Sequence, residues 1–240
     1  DNNQTILSGE INEDFELWSL NVVSGANLDT NTNLDGFRIT KGNANGASDT
    51  VYENGGGVYL SDSNMTASNL VITNNSAGEE GGGIYNWSSD TTRSLTLNNC
   101  VFTNNSAFDG GGIYSRDSSL TLTNCVFTNN SADELGGVIY SRDSSLTLTN
   151  CVFTNNSARS GGGIYSDKSS SSTLTNCVFT NNSASYGGGI IAKSSPLTLT
   201  NCVFTNNSVG IGGWGGGIYS GDSSLTLINC VFANNSAGMN

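Results

Sequence analysis

One phrase is repeated along most of this chain, and the repeat limits the fold more than any other feature. In its fullest form it reads Gly-Gly-Gly-Ile-Tyr-Ser, a short polar turn, then Leu-Thr-Leu-Thr-Asn-Cys-Val-Phe-Thr-Asn-Asn-Ser-Ala. Cysteine recurs at Cys100, Cys125, Cys151, Cys177, Cys202 and Cys230, in steps of 25, 26, 26, 25 and 28 residues. Phe102, Phe127, Phe153, Phe179, Phe204 and Phe232 keep the same steps, and an earlier copy carries Leu70 and Ile72 in those places. A fixed period of this size means stacked units, each burying its apolar face only against its neighbours.

The unit is made of strands. Leu120-Thr121-Leu122-Thr123 alternates apolar and polar with period two, and so does Cys125-Val126-Phe127-Thr128. Ile113-Tyr114-Ser115 makes a third short run. No stretch keeps helical spacing, and Gly, Ser, Asn and Thr are poor helix-interior residues. Three short strands per repeat fit one turn of a three-sided parallel coil, each strand pairing with its copy about 4.8 Å away in the next turn. Asn124 and its copies Asn69, Asn99, Asn150, Asn176, Asn201 and Asn229 break the inward parity, and Asn tolerates the left-handed conformation a corner needs. Gly110 to Gly112 allow a second bend. The third corner is polar, as in Asp117-Ser118-Ser119 and Asp143-Ser144-Ser145.

Stacking puts Leu, Cys, Phe and Ile rows inside and Thr and Val rows outside. Either Ile113 or Tyr114 faces inward; we place Ile113 inward and the Tyr row outside. The chain then divides into irregular N-terminal coils or a cap over 1–52 and a seven-repeat β-helix over 53–240, one continuous domain. The rod is about 40 Å long.

These residues resemble a known family. Gly-Gly-Gly-Ile alternating with Phe-x-x-Asn (Phe127 to Asn130, Phe153 to Asn156, Phe204 to Asn207) resembles the paired repeat motifs of chlamydial polymorphic outer-membrane proteins. Thr5-Ile6-Leu7-Ser8-Gly9 and Leu34-Asp35-Gly36-Phe37-Arg38-Ile39-Thr40-Lys41-Gly42-Asn43-Ala44 resemble the first coil of large secreted bacterial proteins with pectin-lyase-like right-handed β-helices. The resemblance covers nearly the whole chain. It implies an all-β, right-handed, three-sided parallel β-helix (a β-solenoid) and a cell-surface or secreted protein, often an adhesin or autotransporter passenger. The fold also hosts polysaccharide lyases and hydrolases.

Net charge is −12, with ten acids and two bases in residues 1–62 and ten acids and six bases beyond. An acidic rod has no footprint for nucleic acid or anionic lipid. No apolar stretch is long enough to span a membrane. The chain begins at Asp1 rather than Met, which fits an extracellular address with the leader already removed. The six cysteines sit one coil apart with parallel β-carbons, wider than a disulfide prefers, so they read as core filler.

With no histidine, Ser-His-Asp and Cys-His catalysis are excluded. No pair of carboxylates is placed to converge in a cleft. Asp62, Asp117, Asp143, Asp167 and Asp222 sit one per coil at corners, where Ca²⁺ is the only metal the pattern suggests; no cofactor is expected. The candidate interaction surface is a Thr-x-Thr grid of Thr121, Thr123, Thr147, Thr149, Thr173, Thr175, Thr198 and Thr200, with Tyr114, Tyr140 and Tyr165 of the Tyr row and Trp214 at a variable turn tip. Of the Asn-x-Ser/Thr sequons, Asn3, Asn64 and Asn86 are the glycosylation candidates; the repeated ones, such as Asn129 and Asn155, read as a backbone-bonding corner row.

The expected function is a non-catalytic extracellular structural or adhesive rod. Its partner is a cell-surface or glycan ligand, or a second copy stacked head-to-tail, with apolar Ile6, Leu7, Phe15, Leu17, Trp18 and Leu20 either capping their own end or receiving the last rung of the next copy. An ice-binding protein using the Thr rows and a polysaccharide-binding or polysaccharide-cleaving protein are the alternatives.

Overall fold

The computed structural model describes residues 5–9, 21–45, 53–168 and 170–238. All regular structure within them is strand. One coil is Ile113–Arg116, Ser119–Thr123, Val126–Thr128 and Ser131–Leu135. The first three belong to parallel sheets of eight, eight and nine strands. We call them the Tyr, Leu and Phe sheets. Register is residue for residue: Phe102 pairs with Phe127 and Phe127 with Phe153. The regular stack begins early, since Val23–Ala26, Asn33–Asp35 and Phe37–Thr40 pair with the coil over 58–73.

The short fourth strand is an addition to the three-sided expectation. Its copies form four- and three-stranded sheets, joined by bridges through Ser157. They ride on the Ser-Ala pair after the second asparagine, where a two-residue run is too short to signal a strand by pattern.

The bends fall where the sequence puts them. All seven corner asparagines are left-handed, for example Asn69 at φ 55° and Asn124 at φ 54°. A second corner uses the sequon asparagines, with Asn129 at φ 55° and Asn155 at φ 57°. The third uses Asp117 at φ 53° and its counterparts, and Gly110 turns back into the Tyr sheet at φ 63°. After that turn the coils come so close that a Cβ on Gly111 would collide with the Ser131 carbonyl.

Ile113, Leu120, Leu122, Cys125 and Phe127 are fully buried in one continuous core. Ile113 is therefore the inward residue. The Phe rings stack at 4.4–5.0 Å between centroids from Phe102 to Phe232. All six cysteines are free thiols. Each Sγ serves its corner: that of Cys125 lies 3.4 Å from the Thr123 carbonyl and 3.6 Å from that of Leu97 one coil below.

Candidate interaction surfaces

The Leu sheet carries the threonine grid outward, as expected. Thr121, Thr147, Thr173 and Thr198 align rung to rung, as do Thr123, Thr149, Thr175 and Thr200. The first row ends on Thr226 and the second on Ile228. Beside it, the exposed corner asparagines form their own chain, Asn150 Nδ2 donating to Asn124 Oδ1 at 3.1 Å and Asn176 Nδ2 to Asn150 Oδ1 at 3.1 Å. The Phe sheet presents Val and Thr, with Val126 37% exposed.

The Tyr row does not form an open face. Its side chains leave the coil on the outer side of the Tyr sheet, yet Tyr114 is fully buried and Tyr140 and Tyr165 nearly so. The rings form a second apolar cluster, separate from the main core, with Trp87 and Leu135 packed onto it. Leu135 comes from the segment before a glycine run, and Trp87 from the end of a Tyr-sheet strand. Alternation along the strand shows which face a side chain takes, but not what another segment lays on top of it.

This covered row also collects acids. Burial raises Glu80 above the usual carboxylate range, and raises Asp167 against the pull of Arg142. Burial pushes Asp109 up to about 6, opposed by the Leu135 N–H it accepts and helped by Glu80, Glu134 and Glu79. The Leu135 N–H lies 2.9 Å from Asp109 Oδ1. Tyr140 Oη donates to Asp167 Oδ2 at 3.4 Å.

That contact marks a second correction. Asp167 is not a corner residue: it pairs with Arg142 inside the Tyr sheet, and Lys168 takes the left-handed corner. The register places Ser88, Lys168 and Ser194 among Asp62, Asp117, Asp143 and Asp222, so only Asp117 and Asp143 are acids in successive coils. Asp117 lies 3.2 Å from Arg116 and Asp143 3.9 Å from Arg142. Among the described residues no three of His, Cys, Asp and Glu converge as metal ligands would.

The glycosylation candidates divide. Asn3 lies outside the described residues, as do Phe15, Leu17, Trp18 and Leu20. Asn64 is half-buried and its Oδ1 accepts the Ser94 N–H at 3.0 Å. Asn86 is not a surface residue: it occupies the inward slot of Ser115, and its Nδ2 donates to Ser118 Oγ at 3.0 Å. A glycan cannot be carried there in the folded chain.

The repeated sequons hide two roles that sequence reasoning assigned to one residue. The first asparagine makes the exposed left-handed corner, and the second turns inward. Asn130 Nδ2 donates to the Phe102 carbonyl at 3.0 Å and to Asn156 Oδ1 at 3.2 Å. Its own Oδ1 receives the Asn105 backbone N–H at 3.1 Å. The pattern runs from Asn75 to Asn235, buried as far as Asn207 and half-buried at Asn235, so the amides of the row are satisfied from rung to rung. The strict Asn-Asn doublet was the signal that two different jobs are done there. A parallel row of buried serines closes the third corner, with the Ser118 N–H on Ser144 Oγ and the Ser144 N–H on Ser170 Oγ.

Trp214 is 62% exposed, as expected of a turn tip. It lies 5.8 Å from Tyr186 and 5.9 Å from Tyr219 between ring centroids. With Ile191 they border a depression of 260 Å³.

The family model for the right-handed β-helix region matches residues 82–240. The model for the Chlamydia polymorphic membrane protein repeat matches residues 69–86. No curated protein matches the chain, and no solved structure does. No helix among the described residues is long and apolar enough to cross a membrane.

Proposed function

The chain belongs to the right-handed β-helix family, and from that premise we propose that it is a non-catalytic rod displayed outside the cell in a structural or adhesive role. One observation carries the reading: the repeated polar rows of the coil are committed to the stack. Buried Asn and Ser rows bond rung to rung, and corner acids face the arginine beside them. Catalysis by this fold needs acids and bases converging on one spot. The repeat match supports the surface address. The test is an assay against acidic and neutral polysaccharides with Ca²⁺ present. No product is expected; robust turnover contradicts the proposal.

Self-association is part of the same reading. A stack whose strands pair residue for residue can be continued by the strands of a second copy. Light scattering over a concentration series should show growth that stops when Val231→Glu is introduced. Strictly monomeric protein at every concentration contradicts it. The rung-to-rung threonine register favours one further reading, ice binding. Thermal hysteresis abolished by Thr149→Tyr would support it over adhesion, and its absence in the unmodified chain would end it.

A further inference from the structure

The covered Tyr row is interrupted in one place. Rings follow one another at 5.1–5.4 Å from Tyr59 through Tyr165. The next coil has Ile191 in register with Tyr165, and the one after returns to Tyr219. A branched aliphatic side chain replaces a ring, so space opens between two tyrosines. A second departure lies beside it. The neighbouring row reads Arg116, Arg142, Asp167, Lys193 and then Gly221. Gly221 has no side chain to lay over the rings, and Tyr219 lies across it: a Cβ there would sit 3.1 Å from the ring. The third departure is the long turn that raises Trp214 beside Tyr186.

We infer that this depression is a binding site for one pyranose unit of a neutral glycan chain. Four rings border it, Tyr165, Tyr186, Trp214 and Tyr219; Trp214 touches Tyr186 and Tyr219, lying 58° from the plane of the first and 27° from that of the second. A pyranose offers a flat C–H face to an exposed ring such as Trp214 and hydroxyls around its rim. Ser160, Lys193 and Asp222 at the mouth supply donors and acceptors for that rim. At 260 Å³ the site is smaller than the ~300–1,000 Å³ of pockets that enclose a drug-sized ligand, as suits one unit of an extended chain. Other occupants fit less well. A quaternary ammonium wants rings on several sides and no competing cation, yet Lys193 stands at the mouth. A wholly apolar group would desolvate Lys193 and Asp222 without replacing their partners. The two opposite charges also leave no net preference for a uronate or an amino sugar.

The site gives the adhesive reading its ligand and rests on that reading only for its setting. The experiment titrates the whole chain with cellohexaose, maltohexaose and hexa-N-acetylchitohexaose, following the heat of binding by calorimetry. Choline and hexagalacturonate serve as comparisons. At least one neutral hexasaccharide should saturate the signal. Trp214→Ala should weaken it by at least about tenfold, in line with truncation of a central aromatic contact. Ile191→Tyr, which restores the ladder, should weaken it comparably. Trp214 is exposed, so its removal should leave the thermal midpoint unchanged and keep the comparison valid even where Ile191→Tyr perturbs packing. The inference is overturned if no neutral sugar binds at about 10 mM, beyond the weak end of ordinary affinities. It is equally overturned if both variants bind as the parent does, or if choline or hexagalacturonate binds more tightly than every neutral sugar. Turnover of a bound sugar would refute the non-catalytic reading but leave the site standing. Absence of binding would remove the site but leave the scaffold.

Discussion

Two stretches of the same rod, the coils from Leu95 to Asn182 and the turn-and-strand region from Tyr186 to Asp222, obey one backbone plan and treat their aromatic side chains differently. In the first, the rings of the Phe and Tyr rows are spent on their neighbours, and only Phe108 is exposed: Phe153 lies 4.4 Å from Phe179, and Tyr114 has no exposed surface. In the second, Ile191 interrupts the Tyr row, Gly221 removes its lateral cover, and Trp214 and Tyr186 stand in solvent. Repetition in this fold gives each side chain a like neighbour in the next rung. A departure from repetition leaves a group without one.

The sharpest way to break this comparison is to remove one ring from each stretch. Phe153→Ala should cost about 3–5 kcal/mol in denaturant unfolding, since its neighbours above and below hold the hole open. Trp214→Ala should change stability by no more than about 0.5 kcal/mol. Equal losses would show that the irregular region is as structural as the regular one.

The asparagine doublet sharpens it within a single coil. Asn156→Ala leaves the Phe127 carbonyl and the Asn130 N–H without their partner. The expected loss is about 1–3 kcal/mol or more, because these groups stay buried. Asn155→Gly keeps the left-handed corner and should cost only a few tenths. A reversal of that order would place the load on the exposed row.

A smaller effect should come from the acids above the Tyr row. Asp109, raised to about 6 in the fold, binds its proton more tightly there than in the unfolded chain. Protonation therefore favours the folded state, and stability should fall as pH rises from about 4 to about 6. Asp109→Asn keeps the acceptor for Leu135 and should flatten that slope and raise the urea midpoint at pH 7. An unchanged slope would mean the carboxylate is as well solvated as any surface acid.

The smallest effect tests the odd residue inside the third corner. Asn86 Oδ1 is buried without a partner, and Ser115, Ser141 and Ser166 fill the same slot in the following coils. Asn86→Ser should stabilise by up to about 1 kcal/mol. A clear loss would show that the larger amide fills space the serine cannot.

Much of this was legible in the sequence. Leu120, Cys125 and Phe127 showed their inward faces through strand alternation, and Asn124 marked its bend through broken parity. Both signals are local, and stacking repeats them until they cannot be misread. The cover over the Tyr row was not legible, since it comes from segments such as that of Leu135, whose residues vary from coil to coil. The same holds for Asp167, displaced from the corner by one residue in a turn of different length. The break at Ile191 could be read from the row, but its meaning depended on Gly221 one strand later and on Trp214 across the turn. Only the register joins those three positions. Asn86 looked like a loop sequon because its coil replaces the usual serine with a residue typical of surfaces.

Contact with a ligand is expected on the interrupted region and not on the constant faces. Hydroxyl-radical footprinting of the whole chain, with and without the neutral hexasaccharides, reads every face at once. Trp214, Tyr186 and Tyr219 should be protected, with the threonine and valine rows unchanged. Protection along Thr121, Thr147 and Thr173 with Trp214 unaltered would contradict this expectation.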